Sequence, residues 1–191
     1  MALKTIMTLG ATFCLAVAAI AMQPGGSAGK DEDAKLLAAL PKSKQTLEAG
    51  IRQASAKSPE APISAKFELE DKGELSLSVY VAQKGLSVDA EHNVLTEVSG
   101  TPESEKWATE TEIFKDVEHV SRSAEQLTIM ALSRMSLLDV VQKAQKDQPG
   151  TVYSVTPRMR DRKAMFVVLV AAQGRSVELM YDAMTGNAVK K

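Results

Sequence analysis

Two histidines, two recurring aspartates and one cysteine are the residues whose types most readily suggest chemistry in this chain. His92 and His119 are its only histidines, and Glu118 adjoins the second. A zinc site needs three or four converging ligands, and neither HxxH nor HExxH occurs. Both histidines therefore read as exposed side chains, and no metal is expected. Asp89 and Asp182 stand at the ends of two similar stretches, where a pair of acid–base carboxylates would be conceivable. The stronger reading is local: each Asp opens a turn by accepting nearby backbone N–H groups. The serines lack a histidine–acid constellation, and neither a GxSxG elbow nor a phosphate-cradling glycine loop is present. The residues thus assign no catalytic group, no cofactor site and no metal site, and the chain reads as a non-enzyme.

Those two aspartates belong to a longer repeat. Leu47, Ile51, Ala54 and Pro59 recur as Leu137, Val141, Ala144 and Pro149, each displaced by 90 positions. Thr46 and Ser136 match at the same displacement, and both are good helix N-cap residues. Asp89-Ala90 falls on Asp182-Ala183 at a displacement of 93, and Asn93 falls on Gly186, the two residue types most tolerant of a left-handed turn. Caps, apolar spacing, helix stop and turn residues recur in order, which points to internal duplication. Two copies of this length suit two small domains better than a solenoid.

The expected organisation follows. Met1–Ala21 has a lone Lys4, an apolar run over Ile6–Ile20 and the small-x-small pattern Ala19-Ile20-Ala21, and reads as a signal peptide cleaved after Ala21, with a retained transmembrane anchor as the rival reading. Phe13 before Cys14 argues against lipidation, and beyond Cys14 the chain has no further cysteine for a disulfide or a thiol nucleophile. Residues 22–42 read as a flexible Gly/Ser tether with a short helical turn over Ala34–Leu40. Residues 43–99 form the first domain: a helix over Thr46–Lys57, alternating strands on either side of Asp71-Lys72-Gly73, a short third strand over Gly85–Val88, and a fourth piece over Val94–Val98. Residues 100–132 are a connector, with helical spacing from Glu110 through Ile113, Phe114, Val117 and Val120. Residues 133–191 form the second domain, whose opening helix belongs to Ser123–Lys146 with a break near Ser133–Ser136. Its strands are Thr151–Arg160, a doubly buried Met165–Ala172, and a run through Val177, Leu179 and Tyr181. Pro157 places the first of these toward a sheet edge or bulge.

An opening helix, a Pro-Gly break, an antiparallel hairpin and a last strand ending in Asp-Ala-x-Thr-Gly-x-x-Val resemble the PepSY domain. Copy two carries that pattern in Pro149-Gly150 and in Asp182-Ala183-Met184-Thr185-Gly186-Asn187-Ala188-Val189. Copy one departs from it, with Asn93 at the turn and Ser58-Pro59-Glu60 in place of Pro-Gly. The resemblance implies an α+β fold of two PepSY-like domains, each a helix packed on an antiparallel sheet, joined by a helical connector. It also implies a non-catalytic role and the restraint of peptidases outside the cytoplasm.

Composition narrows the function classes. A net charge of −1 and 4% aromatic residues give neither the electrostatic footprint nor the stacking platform of a nucleic-acid binder. No polybasic run suggests a membrane surface, so no membrane insertion is expected once the leader is removed. The expectation is a periplasmic or secreted binding or regulatory module with a protein partner, either a peptidase or another envelope protein. The alternative is a structural or assembly scaffold of the envelope. Met130 and Met135 read as core rather than as an adaptable binding surface. The usable binding feature is generic: a small open sheet leaves an edge to which an extended peptide can add, with the Pro157 strand as a candidate.

Overall fold

The computed structural model describes residues 27–189, so the leader read over 1–21 and the first part of the tether lie outside the described residues. Among the described residues the fold is α+β, with four α-helices and one seven-stranded antiparallel sheet.

Helix α2 (Leu47–Ala54) begins where Thr46 accepts the Ala49 N–H, and α4 (Leu137–Asp147) begins at a full capping box between Ser136 and Asp139. Such caps are each worth about 1 kcal/mol. The apolar stripes match: Leu47, Ile51 and Ala54 are buried in α2, and Leu137, Val141 and Ala144 in α4. Each helix is followed by a hairpin, β1 (Ala61–Leu69) with β2 (Leu75–Ala82), and β5 (Thr151–Arg160) with β6 (Lys163–Ala172). Each copy then adds a third strand, β3 (Leu95–Gly100) or β7 (Arg175–Asp182).

The copies share a single sheet. Its order is β4-β3-β2-β1-β5-β6-β7, where β4 is Glu110–Ile113, so the two three-stranded halves are mirrored about the β1–β5 seam. That seam is short, pairing Ala65 with Val155 and Lys66 with Ser154. Both flanking hairpins also carry a register shift at the same repeat position, between Pro62 and Ser64 and between Val152 and Ser154. A bulge bends its strand and strengthens the local twist, which accounts for strands that touch only briefly at the centre.

Alternation sorts the two faces. Ala65, Phe67, Leu77, Val79, Val155 and Val168 share one face by register. Helices α2 and α4 lie side by side on it, bridged by Gln142 Nε2 donating to Glu48 at 3.0 Å. The other face carries Ser64, Lys66, Ser78 and Tyr80, and is crossed by α3 (Val117–Leu132). There α3 straddles the seam. Gln126 accepts the Ser64 hydroxyl of β1 at 2.8 Å, while Glu125 accepts the Met159 N–H of β5 at 2.6 Å.

Several expectations need correction. The tether is helical in its described part: α1 spans Ser27–Ala39 and runs into a 3₁₀ turn over Leu40–Lys42. Ala39 and Leu40 are buried and Leu36 and Leu37 pack on the core, so tertiary contact overrides a polar, Gly-containing sequence. Gly85–Val88 is turn rather than strand, and Val94–Val98 falls on the true third strand, β3. Glu110–Ile113 is strand β4, not helix; α3 starts only at Val117, behind the Asp116 cap. Pro157 lies in an interior strand between β1 and β6. It is tolerated because β1 pairs with β5 only at Val155 and Ser154, so no neighbouring strand needs its missing N–H. The break near Ser133–Ser136 is as read; of the run expected to be doubly buried, Met165–Val168 and Val170 are buried, while Leu169, Ala171 and Ala172 are half-buried.

Candidate functional site

Strand β4 is the fold's addition to the duplicated plan, and it forms one end of the sheet. The chain reaches it through a loop pinned to α2. Gln45 Nε2 donates to the Ser104 and Glu105 carbonyls, and Gln53 Nε2 donates to the Trp107 carbonyl at 2.9 Å. The Trp107 indole is buried and donates to the Gly100 carbonyl at 3.1 Å. Gly100 must be glycine here, since a Cβ would lie 2.2 Å from the Ala108 carbonyl oxygen. After β4, Phe114 inserts between Tyr80 (edge-on, 5.3 Å) and His119 (stacked, 5.1 Å), fixing the strand to the sheet and to the first turn of α3.

Register fixes what β4 presents. Thr96 faces Ile113, and the Phe114 N–H donates to Leu95. In an antiparallel ladder this directs the backbone groups of Glu110 and Glu112 toward β3 and those of Thr111 and Ile113 outward. All four residues are exposed, and Ile113 is 50% accessible. The carboxylates of Glu110 and Glu112 share one face, with Glu112 directly opposite Glu97 of β3. Like charges placed so are unfavourable to the sheet.

Behind that edge lies a half-buried polar cluster. Lys66 pairs with Glu68, and the Ser78 hydroxyl donates to the other Glu68 oxygen at 2.9 Å. The Lys66 ammonium also sits 5.8 Å from the centre of the Tyr80 ring. Burial disfavours the charged Lys66, but the acidic neighbours outweigh it and hold its pKa above the ordinary value. Burial pushes the Tyr80 phenol up to about 12 and raises the Glu97 carboxyl, the latter aided by the charge of Glu68.

The residues singled out by type have modest roles. Asp89 accepts the His92 N–H at 3.0 Å and pairs with its ring at 2.9 Å in an exposed turn. Asp182 accepts the Met184 and Thr185 N–H groups at 3.0 and 2.8 Å, as a turn-opening Asp does. They are not counterparts in space, however. Asp89 lies in the long β2–β3 connection, whereas Asp182 closes β7. His119 pairs with Asp116, and Glu118 pairs with Arg122 one turn along α3. Met130 is buried, as read, and Met135 packs against the core beneath Gly186. The edge strand itself was missed, although Asp116 as a helix cap would have marked where helix cannot extend backward.

No family model matches this chain, and no curated protein matches it. Among solved structures it is similar to "a putative lipoprotein" from Clostridium difficile 630, at 15% identity and a TM-score of 0.39. The match covers 78% of this chain and 92% of that one. Values this low leave the functional reading to the residues themselves.

Proposed function

We propose that this chain is an exported, non-catalytic binding module that engages a polypeptide partner in the periplasm or outside the cell, and that it contacts or restrains a peptidase. The observation that carries the reading is β4, a strand edge with outward backbone donors and acceptors, held in place by Phe114 and the Trp107 loop. An extended segment adds to such an edge through main-chain hydrogen bonds. The PepSY-like pattern of copy two and the leader-like residues 1–21 support the envelope setting and the peptidase. Among the described residues no helix is long and apolar enough to cross a membrane.

The test is capture from an envelope extract on the immobilised full chain, followed by titration of any retained peptidase. A fall in its activity with added chain is expected. Retention of wall or assembly proteins alone would replace the peptidase by the scaffold reading, and retention of nothing would end both.

A further inference from the structure

Resting on that reading, we infer that the partner segment is basic and extended, and that it adds to the outer edge of β4 with its cationic side chains over Glu110 and Glu112. Three observations converge. Thr111 and Ile113 direct two N–H donors and two carbonyl acceptors away from β3, and β4 has no further strand beside it among the described residues. Glu110 and Glu112 have no cation paired with them among the described residues. Residues 103–118 hold six acidic side chains and only Lys106 and Lys115 in opposition, a net −4 in a chain whose total is −1.

The chemistry of the ligand follows from alternation. A strand laid beside β4 places every second side chain on the face of Glu110 and Glu112, and the others beside Thr111 and the half-exposed Ile113. Lysine or arginine on the first face relieves the repulsion between Glu112 and Glu97. Small or apolar residues suit the second. The carboxylates also exclude neutral or acidic strands, so the edge selects its partner while resisting self-association.

The probe is the synthetic peptide acetyl-Lys-Val-Lys-Val-Lys-Val-amide, titrated into the isotope-labelled full chain, with its Glu-for-Lys counterpart as control. The lysine peptide should shift and slow the exchange of the Thr111 and Ile113 amides, and should bind less well as salt is raised. Charge reversal by Glu110→Lys with Glu112→Lys should weaken it about tenfold, the size of exchanging rim attraction for repulsion. Thr111→Pro removes one outward donor and leaves the β3 ladder whole, so it should weaken binding while Trp107 fluorescence confirms the fold. Equal binding of the two peptides, or shifts confined to other strands, would overturn the inference. If neither peptide binds while the chain still captures an envelope protein, this inference fails and the binding-module reading survives. If capture fails as well, both fall.

Discussion

Ala65 and Val155 pair with one another across the β1–β5 seam, and each is the other's counterpart in the repeat, 90 positions apart. In an antiparallel pair that coincidence places a pseudo-twofold axis through the seam, perpendicular to the sheet. The same axis relates α2 to α4 on one face and the bulge after Pro62 to the bulge after Val152. Duplication therefore produced one layered unit, a sheet with a paired-helix cover, and not two beads on a connector. The axis also relates α1, packed on β1 and β7, to α3, packed on β5 and β3, so the departure from symmetry is β4, inserted after copy one, and it supplies the proposed binding edge.

Because the seam joins the copies into one core, they should unfold together. Val155 is fully buried, and Val155→Asp would strand a carboxylate there at a cost of several kcal/mol. Trp107, the only tryptophan, reports on copy one, and the Val168 methyl signals report on copy two. Their denaturant midpoints should coincide in the native chain and fall together in the variant. Separate midpoints would show independent halves.

Gly50 of α2 sits directly on β2, where an added Cβ would lie 2.5 Å from the Leu77 side chain. Alanine gains about 1 kcal/mol of helix propensity over glycine, but crowding a packed core costs about 1–3 kcal/mol. Leu77 is fully buried and has little room to yield. Gly50→Ala should therefore destabilise, and in a Leu77→Ala background its effect should turn neutral or favourable. Urea unfolding of the two singles and the double variant checks this.

The clasp of α3 on β1 predicts a marked asymmetry. Ser64 and Gln126 are both buried and satisfy each other at 2.8 Å. Ser64→Ala leaves the Gln126 amide oxygen without its donor and should cost about 1–3 kcal/mol. Ser64→Ala combined with Gln126→Met removes both polar partners and should cost less than the sum of the two single changes. Additivity in this double-mutant cycle would deny the clasp an energetic role.

Glu97 should couple stability to pH in a sense opposite to the carboxylates that cap turns and helices. Burial raises its pKa in the folded state, so the fold holds that proton more tightly than the unfolded chain does. Its contribution is complete below the unfolded value of about 4.3–4.5 and is lost as pH rises through the raised folded value. Asp89, Asp116, Asp139 and Asp182 are lowered by their turn and cap hydrogen bonds, and they act in the opposite sense at more acid pH. Glu97→Gln should therefore gain stability relative to the native chain as pH is raised from 4 to 7. A difference that stays constant over that range would contradict this assignment.

Much of this arrangement was legible in the sequence. Thr46 and Ser136 marked both helix starts, the alternation around Asp71-Lys72-Gly73 gave the first hairpin, and the 90-residue displacement gave the duplication. The site was less legible. Ile113, Phe114, Val117 and Val120 happen to recur at helical spacing, yet Phe114 is anchored by Tyr80 from across the sheet, a contact that local periodicity cannot register. Asp89 and Asp182 look equivalent along the chain because the β2–β3 connection of copy one runs from Gln83 to Val94, whereas Gln173-Gly174 makes the same link in copy two. Leu36, Leu37 and Leu40 gave α1 too short a pattern beside Gly29 and the charge run that follows it.

The measurement that bears most directly on the proposed function is site-specific photo-crosslinking in the living envelope. A benzophenone amino acid would be placed at Thr111 on the exposed edge and, in a control chain, at Lys72 on the exposed β1–β2 turn. A discrete polypeptide adduct from position 111, absent from position 72 and abolished by Glu110→Lys with Glu112→Lys, is the predicted result. Adducts from position 72 alone, or no polypeptide adduct from position 111, would contradict the claim that this edge is where the protein meets its partner.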